Sequence, residues 1–130
     1  MQTINSPQAP AAIGPYSQAK VVGNLLFTAG QIPLIPETME MVTGPIEAQT
    51  ERVIQNLGAV LSAAGTHWDC VIKTTVFLTD LADFAAFNAV YERMLGGAKP
   101  ARSTVQVAAL PKGAKVEIEL IAEVNPEVNP

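Results

Sequence analysis

Cysteine, histidine and aromatic residues are scarce in this sequence, and each scarcity removes a class of function. Cys70 is the sole cysteine, so no disulfide can close within the chain and no cysteine cluster can hold zinc. His67, beside Trp68, is the sole histidine, which excludes a two-histidine metal site and reads as a surface-loop residue. Phe, Trp and Tyr make up 5% of the chain, too few for a base-stacking platform. Basic side chains are also few: 8 Lys and Arg against 12 Asp and Glu give a net charge of −4, which repels phosphate backbones and anionic membrane surfaces. Nucleic acid and membrane are therefore not expected partners. There is no phosphate loop, no Gly-x-Gly-x-x-Gly and no metalloprotease helix motif, so nothing points to a cofactor. No uncharged apolar run reaches the roughly 18 residues a membrane-spanning helix needs, and Met1 to Gln8 lack the features of a signal peptide. A soluble, cytoplasmic protein is the expectation.

What is present is a core-forming composition. The 130 residues are 48% hydrophobic and 15% charged, and the mean hydropathy is +0.24, high for a small soluble chain. A chain of this length builds one core and buries roughly two thirds of its unfolded surface. A single domain over residues 1–124 is expected, followed by a proline-spaced polar tail, 125–130. Proline and glycine punctuate the first fifty residues and permit only short strands, with Ser17 to Val22 and Leu25 to Ala29 joined as a hairpin by Gly23-Asn24. Val53, Leu57, Val60, Leu61 and Ala64 then form one apolar helical stripe between Gly44-Pro45 and Gly65. The β-branched run Val71 to Thr79 is a strand, with Ile72, Thr74, Val76 and Leu78 assigned to one side. A second helix spans about Leu81 to Leu95, capped by Asp80 and ended by Gly96-Gly97, with Phe84, Phe87, Tyr91 and Met94 on one face. Strands at Arg102 to Val107 and Val116 to Val124 follow. The predicted order is β-β-α-β-α-β-β, an α+β fold with two helices on one face of a sheet.

Side chains alternate along a strand, so each of the last two strands divides into two sets. Ser103, Val105 and Val107 oppose Arg102, Thr104 and Gln106; Val116, Ile118, Leu120, Ala122 and Val124 oppose Glu117, Glu119, Ile121 and Glu123. Assigning the more apolar set of each strand to the helices places Arg102 and the glutamates together on the other face. That face is either solvated, with weak surface ion pairs, or a subunit interface with a partly buried anion site. Taken singly the other candidates are modest: Cys70 as a small buried residue, Lys73 as an edge or interface lysine, Asn88 as a solvent-facing helix position, and Gly14-Pro15-Tyr16 as a turn.

Pro100-Ala101-Arg102-Ser103, Leu110-Pro111-Lys112 and Val116-Glu117-Ile118-Glu119 together resemble the reactive intermediate deaminase A family, also called the YjgF/YER057c/UK114 family. Further blocks match in the family's order: Ala11 to Gln18, Thr28 to Pro33, Lys73 to Asp80 and Phe84 to Asn88. The resemblance covers Ala9 to about Val124. It implies a chorismate-mutase-like fold with one mixed sheet, a homotrimer whose sheets form a central barrel, and ligand sites between subunits. It also implies hydrolysis of 2-imino acids, such as 2-iminobutanoate and 2-iminopropanoate, to 2-keto acids and ammonia, with no metal and no cofactor. By position, Arg102 matches the family arginine that binds the substrate carboxylate and Glu117 the glutamate assigned to the water. Tyr16 matches the tyrosine that closes the site, Asn88 a pocket asparagine, and Gly30 the loop whose backbone lines the pocket. Thr104 stands where cysteine is common and Ala29 where serine is frequent, which implies altered preference rather than lost activity.

This assignment makes chemical sense. A guanidinium grips a carboxylate as a planar fork, and a protonated imine carbon needs only a positioned water and a proton acceptor. Glu119, two residues along from Glu117, is either a second acid or a structural partner of Arg102, and the structural role is the one expected. Two other functions stay open: an endoribonuclease that inhibits translation, and a non-catalytic binder of small 2-keto acids.

Overall fold

Short segments alternate with turns through the first third of the chain, and the computed structural model, which describes residues 1–125, shows what they build. Strand β2 (Ala19–Val22) folds back on β3 (Leu25–Thr28) across Gly23-Asn24, and Gly23 has a positive φ of 59°, as this tight link requires. An additional strand, β1 (Gln2–Ile4), pairs antiparallel with β2. Sequence reasoning missed it because three residues are too few for an alternation to show.

Helix α1 (Ile46–Ala63) begins after Pro45, whose fixed φ suits a helix start, and buries Val53, Leu57, Val60 and Leu61 almost completely. Strand β4 (Val71–Leu78) follows. The side chain of Asp80 then accepts a hydrogen bond from the Ala82 N–H and starts a single 3₁₀ turn that leads into α2 (Phe84–Leu95), which ends at a left-handed Gly96. Strands β5 (Ala101–Gln106) and β6 (Val116–Glu123) complete the fold. Among the described residues six strands form one mixed sheet in the order β1-β2-β3-β6-β4-β5, in which only β4 and β5 run parallel, joined through α2. The α+β architecture read from the sequence is the one observed.

Both helices pack on one sheet face. Their apolar stripes meet Leu26, Val76, Leu78, Val116, Ile118 and Leu120 in one core. Two strand assignments need correction. A bulge at the start of β4 sets Val71 and Ile72 against the single residue Ala122, so Val71 turns inward and Ile72 outward. In β5 the facing is the reverse of the sequence reading. Arg102 and Thr104 pair with the buried Thr74 and Val76 and share their helix side, whereas Ser103 and Val105 share the open side with Thr75 and Phe77. That open face carries Val22, Phe27, Ile72 and Val105, each 41–52% exposed. Of the tail expected at 125–130, all beyond Asn125 lies outside the described residues.

Candidate functional site

The reversal of β5 separates the two residues expected to act together. Glu117 pairs with Phe77 and faces away from the helices, while Arg102 faces α2, so within one chain they project from opposite sides of the sheet. Each stands in its own hollow with other site residues around it.

Arg102 lies on the edge strand, in a hollow of about 410 Å³ that also takes in Asn88, Tyr91, Lys99 and Pro100. One turn of α2 separates Phe84, Phe87 or Asn88, and Tyr91, and this spacing aims all four at the guanidinium. Its Cζ stands 4.8 Å from the Tyr91 ring centre, 5.5 Å from Phe84 and 6.0 Å from Phe87, within cation–π range. Nη1 donates a 2.7 Å hydrogen bond to Asn88 Oδ1. No carboxylate pairs with this half-buried cation among the described residues. On the same strand face, the Thr104 hydroxyl is buried and has no hydrogen-bond partner among the described residues. Arg102 and Asn88 thus share one hollow, and Thr104 lies on the same strand face as Arg102 without lining it. The ring of Tyr91 is a contributor that sequence reasoning overlooked, because an aromatic stripe at helical spacing reads first as core.

Glu117 lies in the second hollow, a cleft of about 590 Å³ bordered by Ile13, Tyr16, Gly30, Met39 and Lys112. Its carboxyl rests directly on the Cα of Gly30: a side chain there would overlap the carboxylate, with the Glu117 Cδ only 2.8 Å from the added Cβ. Burial raises the Glu117 pKa above the usual 4.5, and the neighbouring negative charge of Glu119 raises it further. Within one chain Glu119 lies on the open face and does not reach Arg102, against the partnership expected from the sequence; it stands beside Glu117 instead. Tyr16 is 55% exposed and sits after Gly14, whose φ of +118° is open only to glycine without strain.

Buried amides set the cleft's walls. Gln18 Nε2 donates to the carbonyls of Ser6, Ala9 and Pro10, and its Oε1 accepts from the Ser6 N–H, which fixes both ends of the segment carrying Ile13 and Tyr16. Asn56, on the inner face of α1, donates to the carbonyls of Leu34 and Ile32 at 2.9 and 3.4 Å and accepts from Arg52 Nε. His67, Asp69 and Cys70 approach one another at the start of β4, with His67 Nε2 3.7 Å from Cys70 Sγ, but stand apart from both hollows. No helix among the described residues is long and apolar enough to cross a membrane.

A family model described as endoribonuclease L-PSP matches residues 6–124. The chain is 59% identical over 123 residues to protein DfrA of Myxococcus xanthus, an alignment covering 93% of this chain and 94% of that one. It is 44% identical to the mouse protein named 2-iminobutanoate/2-iminopropanoate deaminase, covering 96% of this chain and 93% of the relative. Among solved structures, RidA from an Antarctic Psychrobacter superposes with a TM-score of 0.91 at 50% identity, covering 95% of this chain and all of that one.

Proposed function

The chain belongs to the reactive intermediate deaminase A family, and from that premise we propose that it hydrolyses 2-imino acids, including 2-iminobutanoate and 2-iminopropanoate, to 2-keto acids and ammonia. The observation that carries the reading is Arg102, a half-buried guanidinium seated on aromatic rings with no carboxylate among the described residues to neutralise it. Such a cation favours an anion arriving from solution, and a planar carboxylate fits its remaining donors.

The chemistry then needs water. Glu117 accepts a proton from a water as the oxygen attacks the carbon of the protonated imine. The C–O bond forms while the C=N pair moves to nitrogen, giving a carbinolamine. The proton passes from Glu117 to that amine; the freed Glu117 carboxylate takes the hydroxyl proton as the C–N bond breaks and the carbonyl forms, and the departing ammonia carries that proton away as ammonium, which restores Glu117. A carboxyl whose pKa lies above the usual range is better matched to holding and returning this proton than an ordinary surface glutamate. The mechanism uses no metal or cofactor.

Because Arg102 and Glu117 face opposite ways, the site assembles between copies of the chain in a homotrimer. One copy supplies Arg102, Asn88 and Thr104; its neighbour supplies Glu117, Gly30 and Tyr16. The open sheet face supports this arrangement, since it exposes Val22, Phe27, Ile72 and Val105, apolar side chains that a neighbouring copy would cover. The test supplies the protein with 2-iminobutanoate formed in situ by a threonine dehydratase and follows keto-acid release. Acceleration that disappears in Arg102→Ala supports the reading; equal rates with wild type, Arg102→Ala and no protein refute it.

The description of the matching family keeps an endoribonuclease reading in view. The net charge of −4 argues against it. A 2-keto-acid binder without turnover would retain the Arg102 grip and show no rate for Glu117→Ala to remove.

A further inference from the structure

Arg102 has an unusual support. Tyr91 is 7% exposed and Thr74 fully buried, and their hydroxyls share a 2.8 Å hydrogen bond beneath the guanidinium. Thr74 lies on β4 directly beside Arg102 on β5, so the bond ties the helix to the strand next to the cation. Burial raises the Tyr91 pKa, and the Thr74 bond and Arg102 only partly oppose this, so the ring remains a neutral phenol. The Phe87 ring, 5.4 Å from Tyr91 and tilted 41° to it, packs behind.

We propose that Tyr91, held by Thr74, is a positioning residue that fixes the plane of the Arg102 guanidinium and so sets affinity for the ligand carboxylate, resting on the proposed function only for that ligand's identity. The Tyr91 ring restrains the guanidinium from one face, and Asn88 holds it by Nη1. An arginine so restrained loses little rotational freedom when a carboxylate binds, and no acid among the described residues takes its other donors. A free arginine would have to be ordered by the ligand. The Thr74 hydroxyl, in turn, keeps the ring from turning on its χ angles. Tyr91 acts on the ligand through Arg102.

Tyr91→Leu, Tyr91→Phe and Thr74→Val test the idea by two readouts in the intact protein. The first is the Arg102 side-chain Nε–H nuclear magnetic resonance signal, assigned by its loss in Arg102→Ala. The second is the Kd for 2-oxobutanoate, measured alongside kcat. In Tyr91→Leu the signal should lose its ring-current displacement and Kd should rise about tenfold, as expected for losing a desolvated cation–π contact. In Tyr91→Phe the displacement should persist, with Kd up only about threefold; Thr74→Val should behave likewise. In every variant kcat should change by less than about twofold, since Glu117 is untouched.

A folded Tyr91→Leu protein with unchanged Arg102 signal and unchanged Kd overturns the proposal. If that variant does not fold, Tyr91→Phe and Thr74→Val decide it: wild-type Kd in both overturns it. If the wild type binds keto acid but shows no turnover, the deaminase reading fails and the affinities still decide this one. If it binds no keto acid at all, a signal that moves in Tyr91→Leu supports the positioning role and one that does not overturns it.

Discussion

The hollow around Arg102 and the cleft around Glu117 are built by opposite means. Arg102 is held by what touches it: three rings and an amide from one face of α2, themselves backed by the core. Glu117 is held by what is kept away. It has no hydrogen-bond partner among the described residues, Gly30 withholds a side chain beside it, and Glu119 adds a like charge. The first region fixes a geometry, and the second fixes a proton affinity. A binding cation needs orientation, whereas an acid–base group needs a tuned pKa and room for water, so the two tasks ask for different surroundings.

The strongest test of this division mixes the two halves. Arg102→Ala and Glu117→Ala should each be inactive alone. Coexpressed, they should regain activity approaching about a quarter of wild type, the share of intersubunit sites that would combine two intact halves in a head-to-tail ring. A mixture that stays inactive would place both residues of a working site on one copy and end the two-copy arrangement. Next in size, Arg102→Lys keeps the charge but loses the fork and the stacked plane, and should weaken 2-oxobutanoate binding about 100-fold by calorimetry. A Kd within threefold of wild type would mean that charge alone suffices.

On the cleft side, Gly30→Ala forces the Glu117 carboxyl to move. Turnover should fall about tenfold or more while keto-acid affinity stays within a few-fold. Equal losses in both would show that the two regions are not separable. The smallest effects are in pH dependence. With Glu117 as proton acceptor, kcat/KM should fall on the acid side of a limb lying above the ordinary glutamate value of 4.5, and Glu119→Gln should move that limb to lower pH. Stability carries the same signature. Because the folded pKa is raised, the native state holds the proton more tightly than the unfolded chain, so this group's contribution is full below 4.5 and is lost as pH rises through the raised value. Glu117→Gln should therefore gain stability relative to wild type across that window in denaturant titrations. A difference that does not vary with pH would remove the perturbed carboxyl from the account.

Much of this molecule is legible in its sequence, and the exceptions share a cause. The stripe on α1 is plain because polar residues frame it, and β6 divides cleanly because it is a central strand with one apolar side. Strand β5 misleads. Its valine side is the more apolar, yet Val105 is 43% exposed, while Arg102 and Thr104 lie under α2. Alternation sorts side chains into two sets, but it ranks them correctly only when one face alone is destined for burial. Here the face away from the helices also carries apolar residues, and the helix side carries a cation whose seat comes from residues of α2. Arg102, Glu117, Gly30, Tyr16, Asn88 and Thr104 could be named from the family blocks. The separation of Arg102 and Glu117 onto opposite faces of the sheet needed the register of β4 with β5 and β6.

Gln18 has one further effect, on entropy. Its Nε2 binds the Pro10 carbonyl at 2.8 Å, which closes the neck of the loop running from Pro10 through Tyr16 to Gln18 itself. Tyr16 is thus carried on a small ring of chain and not on a free arm. Any ordering of that tyrosine by a bound molecule restricts only the few rotations left inside a closed loop, because folding has already supplied the cost of bringing its ends together.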